Sequence, residues 1–316
     1  MIDVYASQPW YADHLRPVYE ALGEHAGDFI QKLARHHRGG IPNPRPVLVC
    51  SWGDMKTVQK LGYQHVALAQ HGAGQSYPAS KRPNYPSYPG GTGNEGVSLF
   101  LTPNRDSADR WKRAYPRARV EIVGCPKLDT LPKRLPGPGP VVAVSFHWNF
   151  GMCPETLSVL PEYQSALIPL AKLYQVIGHG HPRRRDLPNV YRRTGIEHVP
   201  SFAEILKRAD VYVFDNSSSG FEFAATGRPV VVLNGRSFRR DAHHGLRFWD
   251  AAGVGVNVNR PNDLLEGVAR ALEDDPSAIA ARERALDIVY QPLSGGARLM
   301  ADALIDWSID VRRSAA

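Results

Sequence analysis

Cysteine is scarce in this chain. Cys50, Cys125 and Cys153 are the three present among 316 residues, and they form no Cys-x-x-Cys pair. That scatter excludes a zinc finger or a disulfide framework and suits a reducing compartment, so a cytoplasmic protein is expected. Long apolar runs are also missing. None approaches the roughly 20 residues that a membrane-spanning helix needs, so no membrane span is expected. The opening string MIDVYASQPW has neither a basic start nor an apolar core, and no secretory signal is expected from it. No repeat occurs, and no Asp-x-Asp pair, the hard carboxylate pair that suits Mg²⁺ or Mn²⁺ at a sugar-nucleotide site. The chain is therefore expected to carry no metal site and no cofactor. An acidic excess is absent as well: the net charge is +7, with 12 histidines in reserve. A balance of this sign suits an acidic partner, whether a nucleotide, an anionic polymer, a membrane surface or DNA, and does not choose among them.

What is present describes a globular protein. Apolar residues make up 43% and charged residues 22% of a chain long enough for about two domains. Strand-like and helix-like patterns alternate along the first part. Ile2 to Ala6 reads as a strand and Tyr11 to His25 as a helix with Leu15, Val18, Tyr19 and Leu22 on one face. The strings 46–51, 65–69, 97–102 and 120–123 read as strands, with helices at 55–61 and 106–114. Alternation of this kind predicts a parallel sheet covered by helices on both faces. A loop rich in Pro, Gly, Ser and Tyr, 75–96, is long enough for a lid or binding loop. LPKRLPGPGP then breaks every pattern and reads as an interdomain linker.

The rhythm restarts after the linker. Strands are expected at 141–146, 174–177 and 198–199. Broadly helical residues 157–173 are divided by Pro161 and Pro169, and helices follow at 203–208, 263–272, 278–289 and 296–308. The expected organisation is an N-terminal acceptor-side Rossmann-like domain over 1–131 and a linker over 132–140. A C-terminal donor-binding Rossmann-like domain covers 141–295, and a terminal helix over 296–316 can pack back on the first domain. Two doubly wound halves place a site in the cleft between them, at the carboxyl ends of the strands.

The richest local signal is RADVYVFDNSSSGFEFAATGRPVVVLN, beginning at Arg208. An apolar strand ends at Asp215 and Asn216. Three serines and Gly220 follow, then a short helical pattern around Glu222, then a second apolar strand from Val230. Serine hydroxyls and the first backbone N–H groups of a helix can converge on an anion there, helped by the helix dipole. Glu222, one turn on, can reach a ribose diol. An ordinary serine N-cap on a structural helix fits the same string.

Several histidines follow strands. His71, in QHGAGQ, can serve as a general base towards a hydroxyl, with Gly72 and Gly74 allowing close approach of an acceptor, or it can be a loop histidine bonded to backbone. His181 lies in GHGHPRRR with Arg183, Arg184 and Arg185, where arginine forks can meet phosphate or form a solvated basic turn. His147 and Trp148 end a strand in VSFHWN and can line a ligand site or simply pack. Lys127 and Asp129, in GCPKLDTL, precede the linker and are expected to face the cleft. For His243 and His244, a substrate loop and a solvated turn fit equally well.

Taken together and in order, these strings resemble the CDP-glycerol glycerophosphotransferase family, the teichoic-acid polymerases and primases, and more broadly GT-B nucleotide-sugar transferases. QHGAG resembles the family's His-Gly element, and GCPKLDTL its Gly-x-Pro-Arg-x-Asp element, with Lys127 in place of arginine. VSFHWN stands where the family has Ala-Pro-Thr-Trp, and GHGHPR resembles its His-Pro element. The serine string resembles its Asp-Tyr-Ser-Ser helix start, with Asn216 in place of tyrosine and Glu222 at the acidic position. The resemblance covers about 60–300 and implies a GT-B fold and a metal-independent transfer from a CDP- or UDP-linked donor to an acceptor hydroxyl. The acceptor it leaves open is a small molecule, an anionic polymer or DNA. It implies His71 as general base, His181 as stabiliser of the leaving phosphate, and Ser217, Ser218 and Glu222 holding phosphate and ribose. Ser219, Gly220, His147, Arg183 and Lys127 complete the expected donor set. The cradle also resembles that of UDP-N-acetylglucosamine 2-epimerases, and a glycosyltransferase acting on modified DNA is a further alternative. Oligomeric state is left unassigned.

Overall fold

The computed structural model describes residues 1–31, 42–73, 91, 93–149, 151, 156–238 and 253–315. Gly74, Cys153, His243, His244 and most of the 75–96 loop lie outside the described residues. The chain divides into two compact units. One is built from 1–76, 82–130 and 289–316, the other mainly from 131–288.

The first unit holds a parallel sheet in the order β2-β1-β3-β4-β5-β6. Its strands are β1 (Ile2–Tyr5), β2 (Ala26–Ile30), β3 (Asn43–Val49), β4 (Tyr63–Ala69), β5 (Val97–Thr102) and β6 (Arg119–Ile122). The central strands are apolar on both faces because helices cover both faces. Leu48, Ala67 and Leu99 pack towards α1 (Pro9–Leu22) and α11 (Gly296–Ala315). Val47, Val49, Leu68 and Phe100 pack towards α2 (Trp52–Lys60) and α3 (Arg105–Ala114), where Trp111 stacks on Phe100 at 4.2 Å. Helix α1 follows from its sequence: Pro9 sits in the first turn, where its missing N–H costs nothing, and Leu15, Val18 and Leu22 bury one stripe. Gly23, at φ 53°, ends it.

The second unit repeats the plan with the order β12-β11-β10-β7-β8-β9, all parallel. The strands are β7 (Val141–Phe146), β8 (Gln175–Gly180), β9 (Glu197–His198), β10 (Val211–Phe214), β11 (Val230–Leu233) and β12 (Val256–Val258). Between them run α4 (Leu160–Tyr163), α5 (Leu167–Leu173), α6 (Leu187–Arg193), α7 (Phe202–Arg208) and α8 (Ser219–Ala224), and α9 (Leu264–Glu273) and α10 (Pro276–Val289) follow the last strand. The 157–173 region does divide, but at a 3-10 turn, Gln164–Ala166. Pro161 instead starts α4 and Pro169 lies in the first turn of α5, both positions that tolerate proline. The proline-rich segment 131–140 has no helix or strand and is tied to the second unit. Leu135 donates its N–H to the Lys207 carbonyl, and Arg134 pairs with Asp210 at 3.0 Å.

Each sheet has one point where the chain reverses direction across it. In the first unit, β1 is flanked by β2 and β3; in the second, β7 is flanked by β8 and β10. Crevices at the carboxyl ends beside such reversals are where open α/β sheets bind ligands. Among the described residues no helix is long and apolar enough to cross a membrane.

Candidate active site

In the second unit the reversal lies between β7 and β10, and Asp215 ties its loops together. This carboxylate, fully buried, accepts four hydrogen bonds. His147 N–H and Asn216 N–H donate to Oδ1, each at 2.7 Å. The Ser158 hydroxyl, at 3.0 Å, and Val159 N–H, at 3.2 Å, donate to Oδ2. The end of β7, the end of β10 and the 157–159 segment are thereby fixed to one group, and the Asn216 amide adds a bond to the Leu157 carbonyl at 2.9 Å.

The candidate residues after β7 and β8 come together on this frame. The His147 and His181 rings meet edge to face with centroids 4.9 Å apart, and Trp148 lies 5.7 Å from His181. The Arg183 guanidinium sits over the Trp148 ring at 4.7 Å, a cation–π contact that holds the fork near the histidines. His147 Nδ1–H donates to the Trp148 carbonyl at 2.9 Å, and His181 Nδ1 accepts from Arg183 N–H at 3.2 Å. Those two bonds place a proton on Nδ1 of the first ring and a lone pair on Nδ1 of the second. Arg184 braces the loop instead. It pairs with Asp186 at 2.8 Å and donates to the His147 carbonyl at 3.2 Å. Its pKa is raised, chiefly by the Asp186 bond.

The serine loop departs from the expected cradle. Ser218 stands at the N-cap of α8 in a helical conformation and makes no side-chain capping bond. The helix N–H groups are also engaged. Ser219 N–H donates to Ser217 Oγ, Gly220 N–H to the Ser217 carbonyl, and Phe221 N–H to the Ser218 carbonyl. With six residues and its first amides bonded, α8 offers little helix-terminus field. What remains for a ligand are the half-buried hydroxyls of Ser217 and Ser218, since the Ser219 hydroxyl donates to Ser217 Oγ. Gly220 is buried and lets α8 approach the Phe214 ring, which any Cβ would strike. Glu222 is buried at 5% exposure, and its charge acts on Tyr212 beneath the loop.

In the first unit the reversal lies between β1 and β3, with His71 just beyond the end of neighbouring β4. His71 is exposed, and its Nδ1–H donates to the Cys50 carbonyl at 2.6 Å. That bond fixes the tautomer in which Nε2 carries the lone pair, the state a general base requires. The Tyr11 ring meets the imidazole edge to face at 5.2 Å. Gly72 is buried at φ 77°, a conformation that favours glycine.

Two residues that sequence reasoning did not single out flank His71. Asp54, 3% exposed, is held by Ser7 N–H at 3.2 Å and by the Ser7 hydroxyl at 2.5 Å. Burial raises its pKa, while those bonds and the nearby His71 lower it. His14 on α1 is 3% exposed, and its Nε2 has no hydrogen-bond partner. Burial, then His71 and Lys127, push its pKa down to about 3, so it is neutral. Lys127, on the 3-10 turn Pro126–Thr130 of the first unit, lies close enough to His14 for its charge to act there. Asp129, on the same turn, caps α11. It accepts from Gly295 N–H at 2.7 Å and Ala297 N–H at 2.8 Å, the orphan amides of that helix start.

No family model matches the chain, and no curated protein matches it. Solved structures do. The wall teichoic acid polymerase TagF, as a variant with CDPG, superposes with a TM-score of 0.62 at 12% identity, over 100% of this chain and 89% of that one. The fold is GT-B. TagF in another structure gives 0.60 at 15% identity, over 100% of this chain and 90% of that one. A putative UDP-N-acetylglucosamine 2-epimerase from Listeria monocytogenes gives 0.58 at 11% identity, over 100% and 97% of the two chains. The UDP-GlcNAc 2-epimerase from Neisseria meningitidis bound to UDP-GlcNAc gives 0.53 at 12%, over 98% of each. A polymerase of the family that the motifs resemble is thus among the GT-B structures to which this chain is similar, and at such identities the likeness is one of fold.

Proposed function

We propose that this GT-B protein is an enzyme that transfers a sugar or polyol-phosphate group from a CDP- or UDP-linked donor to an acceptor hydroxyl. The observation that carries the reading is the gathering at one sheet reversal of His147, Trp148, His181 and Arg183, with the serine hydroxyls on the loop that Asp215 ties to the same frame. Hydroxyls, an arginine fork and imidazoles are donors suited to a diphosphate, and an aromatic face is suited to a base. In this reading His71 Nε2 takes the proton of the acceptor hydroxyl. The freed oxygen forms a bond to the donor's phosphorus or anomeric carbon, and the nucleotide leaves with the electron pair. His181, Arg183 and the serines meet the charge that develops on it.

The direct test is thermal stability with CDP-glycerol, UDP-sugars, CDP and UDP. A bound ligand at about 100 times its dissociation constant should add about 2.7 kcal/mol. The absence of any shift across the set would count against the reading. Ser218→Ala is a clean probe, since that hydroxyl has no partner among the described residues. It and Glu222→Gln are expected to weaken donor binding by about 1.5–3 kcal/mol each, the value of a hydrogen bond to a charged group. Unchanged affinity by calorimetry in both would remove the serine loop and Glu222 from the donor site.

Metal independence is part of the proposal, because cationic and hydroxyl donors are at hand for phosphate charge. Turnover is expected to persist in EDTA. Complete loss, restored by Mg²⁺ or Mn²⁺, would refute this part.

The nucleotide-sugar epimerases among the structural neighbours support a second reading, a 2-epimerase. Donor alone decides between them: an epimerase isomerises it without an acceptor, and a transferase does not.

A further inference from the structure

Beneath the serine loop runs a chain of polar side chains drawn from three strands and α8. His179 Nδ1, on β8, lies 3.3 Å from the Tyr212 hydroxyl on β10 and 3.4 Å from the Ser145 hydroxyl on β7. The Tyr212 hydroxyl lies 2.9 Å from Ser219 Oγ, and the Ser219 hydroxyl donates to Ser217 Oγ at 2.7 Å. Proton counting fixes the direction of the middle links. Each serine or tyrosine hydroxyl has one hydrogen and two lone pairs. Ser219 gives its hydrogen to Ser217, so Tyr212 must donate to Ser219. The Tyr212 oxygen then accepts from below, where the Ser145 hydroxyl also bonds it, and its contact with His179 is a hydrogen bond in the tautomer that carries the proton on Nδ1. Ser217 Oγ receives both Ser219 N–H, at 3.3 Å, and the Ser219 hydroxyl. Both its lone pairs are used, and no bond spends its hydrogen among the described residues.

We infer that His179, Tyr212 and Ser219 form a one-way donor chain that makes the Ser217 hydroxyl an obligate donor, so this loop selects an anionic phosphoryl oxygen. His179, Tyr212 and Ser219 are positioning residues in this scheme, and Ser217 is the group that touches the ligand. Three features favour it. Tyr212 is fully buried, and burial raises its pKa, with the Glu222 and Asp215 charges adding to the rise, so the phenol keeps the proton it must donate. Gly178, beside His179, admits the Tyr191 ring, which any Cβ would strike, and Tyr191 donates to the His179 carbonyl at 2.5 Å, fixing the strand beneath the imidazole. Hydrogen bonds in such a chain polarise one another, so its last donor is stronger than an isolated serine hydroxyl. The inference rests on the donor-site reading of the serine loop.

The test uses the full-length protein and calorimetric binding of UDP, CDP, inorganic pyrophosphate, uridine and cytidine. Tyr212→Phe keeps the ring and deletes the link. It should weaken binding of the diphosphates and pyrophosphate about tenfold or more, as should Ser217→Ala. The nucleosides, which lack the anion, should bind each variant like wild type. The double variant should bind no more weakly than Ser217→Ala alone, because Tyr212 acts through Ser217. Ser219→Ala cuts the same chain at a half-buried position and replaces Tyr212→Phe if that variant melts early. Diphosphate binding that survives both Tyr212→Phe and Ser219→Ala, or losses that add in the double variant, would overturn the chain and leave the donor reading standing. Pyrophosphate binding that needs Tyr212, with no gain from a nucleotide, would leave the chain standing and sink the donor reading. Failure of wild type to bind either diphosphates or pyrophosphate would sink both.

Discussion

Replacing His71 with alanine is expected to lower turnover about 10²–10⁴-fold, the usual cost of losing a general base, while the donor dissociation constant stays near its wild-type value. The geometry makes this a clean experiment. His71 is exposed, so alanine opens no cavity in either apolar layer of the sheet. Among its contacts with described residues, it loses the bond to the Cys50 carbonyl and the edge contact with Tyr11. Neither is worth more than about 1–2 kcal/mol, so the fold should persist. Rate and donor affinity measured on the same folded sample separate the two roles. A variant that melts early but turns over normally per folded molecule would make His71 a loop anchor. A near-normal rate without loss of stability would move the base elsewhere, and His147 and His181 would be the next to replace. Asp54→Asn gives an independent view. The buried carboxylate lies close enough for its charge to act on His71, so its neutralisation should move the acid limb of the pH–rate profile to lower pH.

The sheets were legible because parallel strands buried on both faces write themselves as apolar runs. VVAVSF, VYVF and VVVL needed no tertiary information, and the reversal of direction at β7 follows from their order once pairing is known. The elements missed lack that signature. Strand β2 (AGDFI) lies at a sheet edge with no residue fully buried, and Gly27 is there because a Cβ would strike Asp3. Strand β12 has three residues, again at an edge, and α6 buries only Leu187 and Tyr191, too few for a helical stripe to stand out. The site divides in the same way. Histidines placed directly after strands announced themselves by position. Residues whose meaning is a partner far along the chain did not. Tyr212 read as one more apolar strand residue, and its hydroxyl matters only because β8 and α8 bring His179 and Ser219 to it. Asp54 drew no reading at all, because its meaning lies in Ser7, 47 residues away, which closes on it.

Asp215 is the strongest instance, and its removal is expected to have the largest effect on stability. It read as the residue that stops a strand, yet four donors from three segments converge on it with no solvent to replace it. Alanine would leave those donors buried without an acceptor, each at a cost of about 1–3 kcal/mol, less whatever the loops recover by moving. A net loss of about 3–5 kcal/mol is expected, comparable to breaking a buried ion pair, and a drop on the order of 10 °C in the melting of the second unit. Asparagine should lie between alanine and wild type. Its carbonyl can serve the His147 and Asn216 amides, and its amide can donate to Ser158, whose hydroxyl is able to turn. Val159 N–H would then face another N–H. Donor binding should fall in both variants even at temperatures where they are folded, because the β7 and β10 loops lose their common anchor and the His147 side of the site is no longer fixed to the serine side. A melting temperature for Asp215→Ala within a degree or two of wild type would show that the loops hold their places without the carboxylate. The frame on which the donor site is built would then have to be sought in the Asn216 bond to Leu157 and the Arg184 bond to His147.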